Sequence, residues 1–88
     1  MDINIVIKDE DVLCLENDLL DVEKWVQEAV KGKIHQCKKR MISQWVPKLL
    51  NDPEIAQLPA SESDLIGMII KHKEYKNRST IELEANKI

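Results

Sequence analysis

Apolar residues along this chain keep two periods. Residues 3–7, Ile-Asn-Ile-Val-Ile, are rich in β-branched side chains and alternate, with Ile3, Ile5 and Ile7 on one side and Asn4 and Val6 on the other. A period of two predicts a short N-terminal β-strand. From Val22 onward the spacing changes to three or four, at Val22, Trp25, Val26, Ala29, Val30, Ile34, Cys37, Met41 and Trp45. That spacing predicts a long amphipathic α-helix over about residues 21–50. Asp21 stands where its side chain would cap the first turn, and Glu23 follows it. Lys24, Gln27, Glu28, Lys31, His35, Lys38 and Lys39 fall mostly off the apolar stripe. Gly32 interrupts the helix at a cost of about 1 kcal/mol relative to Ala, and a small residue there lets another backbone come close. Pro47 removes a helical hydrogen bond, so a kink or a restarted turn is expected near it.

Between the two patterned segments, Lys8-Asp9-Glu10-Asp11 is a polar break. Asp9 suits an N-cap, and Val12–Leu15 then reads as a short helix. The rival is a second strand over 12–16 paired with 3–7, but the link lacks the Asn-Gly or Asp-Gly of a tight hairpin. With 12–16 helical, strand 3–7 has no partner for its backbone in its own chain and needs an edge on another subunit. Downstream, Pro53 to Ala60 is a connection that holds one short turn at Glu54–Gln57. Ser61-Glu62-Ser63-Asp64 resembles a capping box with Asp for the usual Glu. It opens a second helix, about 62–76, in which Leu65, Ile69 and His72 share a stripe. This helix is expected to pack antiparallel on the first. Residues 77–88 carry no strong stripe; they either extend the helix through Ile81 and Ala85 or form an arm that orders against a partner.

The predicted fold is therefore mostly α, a single small helical domain over 1–88 with its N-terminal strand and C-terminal arm held by partners. At 88 residues the core is marginal, since a chain of this size buries only about 60% of its unfolded surface. With no Phe, one Tyr and two Trp, that core must be largely aliphatic. The longest apolar runs are far shorter than the roughly 20 residues a membrane span needs, so no membrane is expected. An acidic N-terminus without a basic stretch or a cleavage site predicts no secretory signal and an intracellular origin.

Charge is blocked. Residues 1–30 carry nine acids and two lysines, and residues 31–48 carry six bases and no acid. Such a chain pairs with itself or with identical neighbours. Lys31, Lys38 and Lys39 would make a basic face, but the chain is acidic overall and no aromatic residue lies among these lysines, which argues against nucleic acid. Cys14 and Cys37 read as reduced, buried small hydrophobes. His35 and Cys37 point to different faces of a helix, so neither a metal site nor a Cys–His nucleophile forms there. With two glycines, there is no phosphate loop. No catalytic, cofactor or metal residue is assigned, no small-molecule substrate is expected, and the chain reads as no enzyme. Trp25 and Trp45 lie 20 positions, about 30 Å of helix, apart, and at least one is a candidate interface anchor. Ile3, Ile5 and Ile7 are the others.

Glu16-Asn17-Asp18-Leu19-Leu20-Asp21, Trp25, Ala29, Gly32-Lys33-Ile34, Cys37, Lys39-Arg40-Met41 and Trp45, followed by Asp52-Pro53, Pro59-Ala60 and Tyr75-Lys76-Asn77-Arg78, make a recognisable pattern. Over about residues 12–78 the chain resembles small uncharacterised proteins encoded among the structural genes of tailed bacteriophages. The resemblance implies a virion component made in the host cytoplasm, in the tail or fibre-attachment region in preference to the capsid. Its partners would be other structural proteins and copies of itself. The competing reading is a small acidic regulatory or inhibitor protein that binds one host or viral protein.

Overall fold

Side-chain caps mark where three of the four helices begin. The computed structural model describes residues 1–87, and these residues are mostly helical, with no strand among them. Helix α1 is Asp9–Asp18, α2 is Val22–Leu50, α3 is Glu62–Lys71 and α4 is Arg78–Ala85. At α2 the Lys24 N–H donates to Asp21 Oδ1 at 3.0 Å, the cap expected from the sequence. At α3 the Asp64 N–H donates to Ser61 Oγ at 3.4 Å, and at α4 the Thr80 N–H donates to Asn77 Oδ1 at 2.9 Å. Helix α1 differs. Lys8 holds its N-cap position without a side-chain bond, so Asp9 is the first helical residue and not the cap. Asp9, Glu10 and Asp11 fill its first turn, where negative charge favours the helix dipole.

Chain contacts divide the protein into two compact units, Met1–Gln36 and Cys37–Ile88. The first holds α1 and the opening half of α2, and none of its residues is buried. Val12, Leu15, Leu19, Val22 and Val26 are its half-buried apolar side chains. Residues 12–18 are helical, which settles the helix-or-hairpin alternative. The expected strand at 3–7 does not form. With 12–16 helical, no second edge is present to accept and donate its backbone hydrogen bonds, and Ile3, Ile5 and Ile7 stay exposed.

The second unit holds the core. Leu49 and Ile69 are fully buried and Trp45 nearly so, with Met41, Ile55, Leu58, Leu65, Met68 and Tyr75 packed around them. Helix α2 continues through Pro47 to Leu50 without a restart, and the Asn51 N–H bonds back to the Pro47 carbonyl at 3.2 Å. Helix α3 stops at Lys71, five residues before the expected end at 76, because His72 turns to extended backbone. Residues 78–85 then form a separate helix under the Asn77 cap, neither a continuation of α3 nor an unstructured arm. Ile88, the end of the expected arm, lies outside the described residues.

Two contacts between α2 and α3 run in the same sense along both, where an antiparallel pairing was expected. Lys38 reaches Glu62 at the start of α3 (3.9 Å), and Asp52, just past α2, meets His72 at the end of α3 (3.0 Å). The connection 51–61 has the length to carry the chain back along α2: extended, it reaches roughly 36 Å. The short turn in it falls at Asp52–Ile55, closed by the Ile55 N–H on the Asp52 carbonyl at 3.1 Å, slightly ahead of the expected position.

The expected single stripe on α2 also changes. Its steps of mostly four residues exceed the 3.6 of a helical turn, so the stripe drifts around the axis. From Val22 to Leu49 it covers about 7.5 turns, which leaves the two residues on opposite sides of an ideal helix. Burial follows the drift: only Trp45 and Leu49 of α2 are buried, and Cys37 is exposed, as is Cys14 in α1. Neither cysteine is the packed small hydrophobe expected.

Candidate interaction surface

Titratable chemistry in the second unit gathers where α2 and α3 end. His72 Nε2 lies 3.0 Å from Asp52 Oδ2, with both side chains largely covered. The Glu74 N–H donates to His72 Nδ1 at 3.1 Å. Since Nδ1 accepts, the neutral ring carries its proton on Nε2 and donates it to Asp52. Asp52 Oδ1 accepts from the Glu54 N–H at 2.9 Å. That backbone bond is the main reason the Asp52 carboxyl is held below its ordinary value of 3.8; the His72 hydrogen bond comes next, partial burial opposes both, and the charges of His72 and Lys73 add to the lowering.

An Asp–His pair invites a catalytic reading. Relay of a proton through histidine requires one ring nitrogen on the acid and the other facing a nucleophile. Here the second nitrogen is occupied by the backbone of Glu74. The imidazole also stands edge-on to Trp45, with ring centroids 5.3 Å apart, and Tyr75 lies 6.0 Å from the same indole. His72 is thus a clasp that ties the end of α3 to the end of α2 over the core tryptophan.

Beside the clasp, a groove of about 740 Å³ lies between the second half of α2 and residues 74–81. Its floor includes Met41, Trp45, Tyr75 and Ile81, and Arg40 and Lys48 stand on its α2 side. Lys48 Nζ sits 4.7 Å from the Trp45 ring centroid, a cation–π contact. On the other side Lys76 and Arg78 are engaged by Glu84 (2.6 Å) and Glu82 (2.9 Å). Arg40 has no ion-pair partner among the described residues.

The chain matches no protein-family model, no curated protein and no solved structure. Its surface must therefore be read from its own residues.

Of the residues singled out from the sequence, Trp45 is spent in the core, whereas Trp25 is 52% exposed. Ile3 and Ile5 are exposed and Ile7 is at the margin, all within the first unit. Lys31 is exposed in that unit, and Lys38 and Lys39 are exposed in the second. Among the described residues Lys38 makes only the long, solvated pair with Glu62, a type worth about 0–1 kcal/mol. Among the described residues no three His, Cys, Asp or Glu side chains gather where they could hold a metal ion, and no helix is long and apolar enough to cross a membrane. Two features escaped the sequence reading. The clasp joins residues 20 positions apart, and the groove depends on where α4 begins. Asn77 ahead of Arg-Ser-Thr, a fair N-cap, was the available signal for the second.

Proposed function

We propose that this chain is a non-enzymatic structural or assembly protein of a tailed-bacteriophage particle, a small component of the tail or fibre-attachment region that works through protein–protein contacts. The observation that carries the protein–protein part of this reading is the first unit, which buries no residue yet presents Ile3, Ile5, Val6, Leu13, Leu20, Trp25, Val30 and Ile34 to solvent. Apolar surface of that extent, on a unit without a core, is what a subunit keeps for its neighbours. The phage assignment rests on the resemblance over residues 12–78. Seating of Ile3, Ile5 and Ile7 as an added strand on a neighbour's sheet edge belongs to the same reading. The clasp supports the absence of an enzymatic role, since His72 has no ring nitrogen left for proton transfer.

The test is the composition of purified particles. A structural component is present at a fixed copy number per particle, measured by quantitative mass spectrometry. The chain's absence from particles, together with a one-to-one complex with a single host or viral protein in solution, would favour the regulatory reading. That reading draws on the acidic first unit, which carries nine acids against four lysines.

A further inference from the structure

We infer that the groove beside Trp45 takes a short acidic segment of a neighbouring protein, with large apolar side chains on its floor and carboxylates against Arg40 and Lys48. This rests on the reading above that the chain works through protein–protein contacts, and it gives one such partner its chemistry.

The groove lies wholly within the second unit, Cys37–Ile88. On α2 it uses Cys37, Arg40, Met41, Gln44, Trp45 and Lys48, which recur at helical spacing and so form one continuous stripe. From Cys37 to Lys48 that stripe is about 16 Å long, room for roughly three turns of helix or five extended residues. Met41 and Tyr75 are half-buried and Ile81 is exposed, so part of the apolar floor is open to an occupant.

Charge selects that occupant. The chain carries a net charge of −3, yet four of the groove's charged side chains are basic and Glu74 alone is acidic. Cations gathered around an apolar floor complement an anionic, apolar segment. Neither Arg40 nor Lys48 has a carboxylate partner among the described residues. Lys76 and Arg78 are held by Glu84 and Glu82 in solvated pairs, weak enough for an incoming carboxylate to displace. Those two acids, with Ile81, already show on this rim the combination that the groove accommodates.

The occupant is a peptide and not a nucleic acid. Trp45 is buried, with His72, Tyr75 and Lys48 around its indole, so it offers no open face on which a base could stack. Gln44 on α2 and Asn77 on the other side bring side-chain amides to the groove. Asn77 Oδ1 is taken by the Thr80 N–H, which leaves its NH2 to donate to a peptide carbonyl.

The experiment selects binders of the full chain from a yeast-displayed library of random peptides of about twelve residues, long enough to span the groove as a helix. Enriched peptides are expected to combine Asp or Glu with Leu, Ile, Met or aromatic residues. A labelled synthetic copy of the strongest binder then gives affinities by fluorescence anisotropy, with circular dichroism to show that each variant is folded. Arg40 is exposed and unpaired, so Arg40→Glu keeps the fold and weakens binding by about tenfold or more. Lys31→Glu, in the first unit and outside the groove, leaves binding unchanged. A peptide whose acids are replaced by Lys prefers Arg40→Glu to the wild type.

Failure to enrich any peptide, enrichment of peptides without acids, or binding that ignores Arg40→Glu overturns the inference. So does a labelled single-stranded RNA whose binding depends on Arg40, since the groove then serves nucleic acid. Sedimentation equilibrium of the wild type covers the remaining occupant: a mass of twice 10.2 kDa that Arg40→Glu halves would put a second copy in the groove in place of another protein. Each of these results leaves the assembly reading to be judged by the composition of particles.

Discussion

Asp52 is a small carboxylate with two jobs, and its titration exposes both. It caps the turn after α2 by accepting the Glu54 N–H, and it receives the His72 N–H from the end of α3. Its carboxyl is held below 3.8, first by the Glu54 bond and then by His72. A depressed acid contributes stability that is fully present above the unfolded pKa and is lost as pH falls through the folded one. Unfolding followed against pH is therefore expected to show a loss below about pH 4 that Asp52→Asn reduces. The core makes a harsher demand. Ile69 is one of three buried residues among those described, so Ile69→Ala is expected to cost about 2–5 kcal/mol, read from urea unfolding. Native stabilities run at about 5–15 kcal/mol, so this one change removes much of what the second unit has. At this scale the sequence was partly legible. Asp21 and Ser61 were visible as caps because a cap is a contact over three residues. The Asp52–His72 clasp was not, because nothing local marks two residues that meet only once α3 has packed.

Helices here are set by their ends more than by their faces. Asn77 holds the first turn of α4, which has only eight residues and buries none of them. Helices that short are marginal in water, so Asn77→Ala is expected to lose about 1 kcal/mol and to melt α4 first, visible as reduced ellipticity before the main transition. Pro47 makes the opposite case. It sits inside α2, is exposed, and leaves the Ser43 carbonyl without its usual helical donor. Pro47→Ala is expected to stabilise the protein, by up to about 3 kcal/mol, measured as a raised Tm. The long helix itself was legible from its spacing, and so was its start. Its burial was not. Steps averaging nearly four residues look amphipathic in any short window, yet over the full length they wind away from a single face. The breaks at His72 and Asn77 were missed for a related reason: Tyr75 keeps helical spacing with the residues before it but reaches Trp45 from a loop.

At the level of the whole molecule, the two units differ in kind. Residues Cys37–Ile88 close around Trp45, Leu49 and Ile69, while Met1–Gln36 bury nothing. Amide exchange depends on how often a backbone hydrogen bond opens, and opening is easiest where few apolar contacts resist it. In dilute solution the amides of α1, Asp9–Asp18, are therefore expected to exchange far faster than those around Leu49 and Ile69. Concentration should change this order if the first unit is kept for a neighbour. A second copy that covers Trp25, Val30 and Ile34 would withdraw them from water and slow exchange across Val22–Gln36. Hydrogen–deuterium exchange by mass spectrometry, run on the wild type over a concentration series, separates the two causes. Protection that rises with concentration belongs to a contact between copies. Protection that is high and constant would mean the first unit holds itself together, and its exposed apolar residues would then need another explanation.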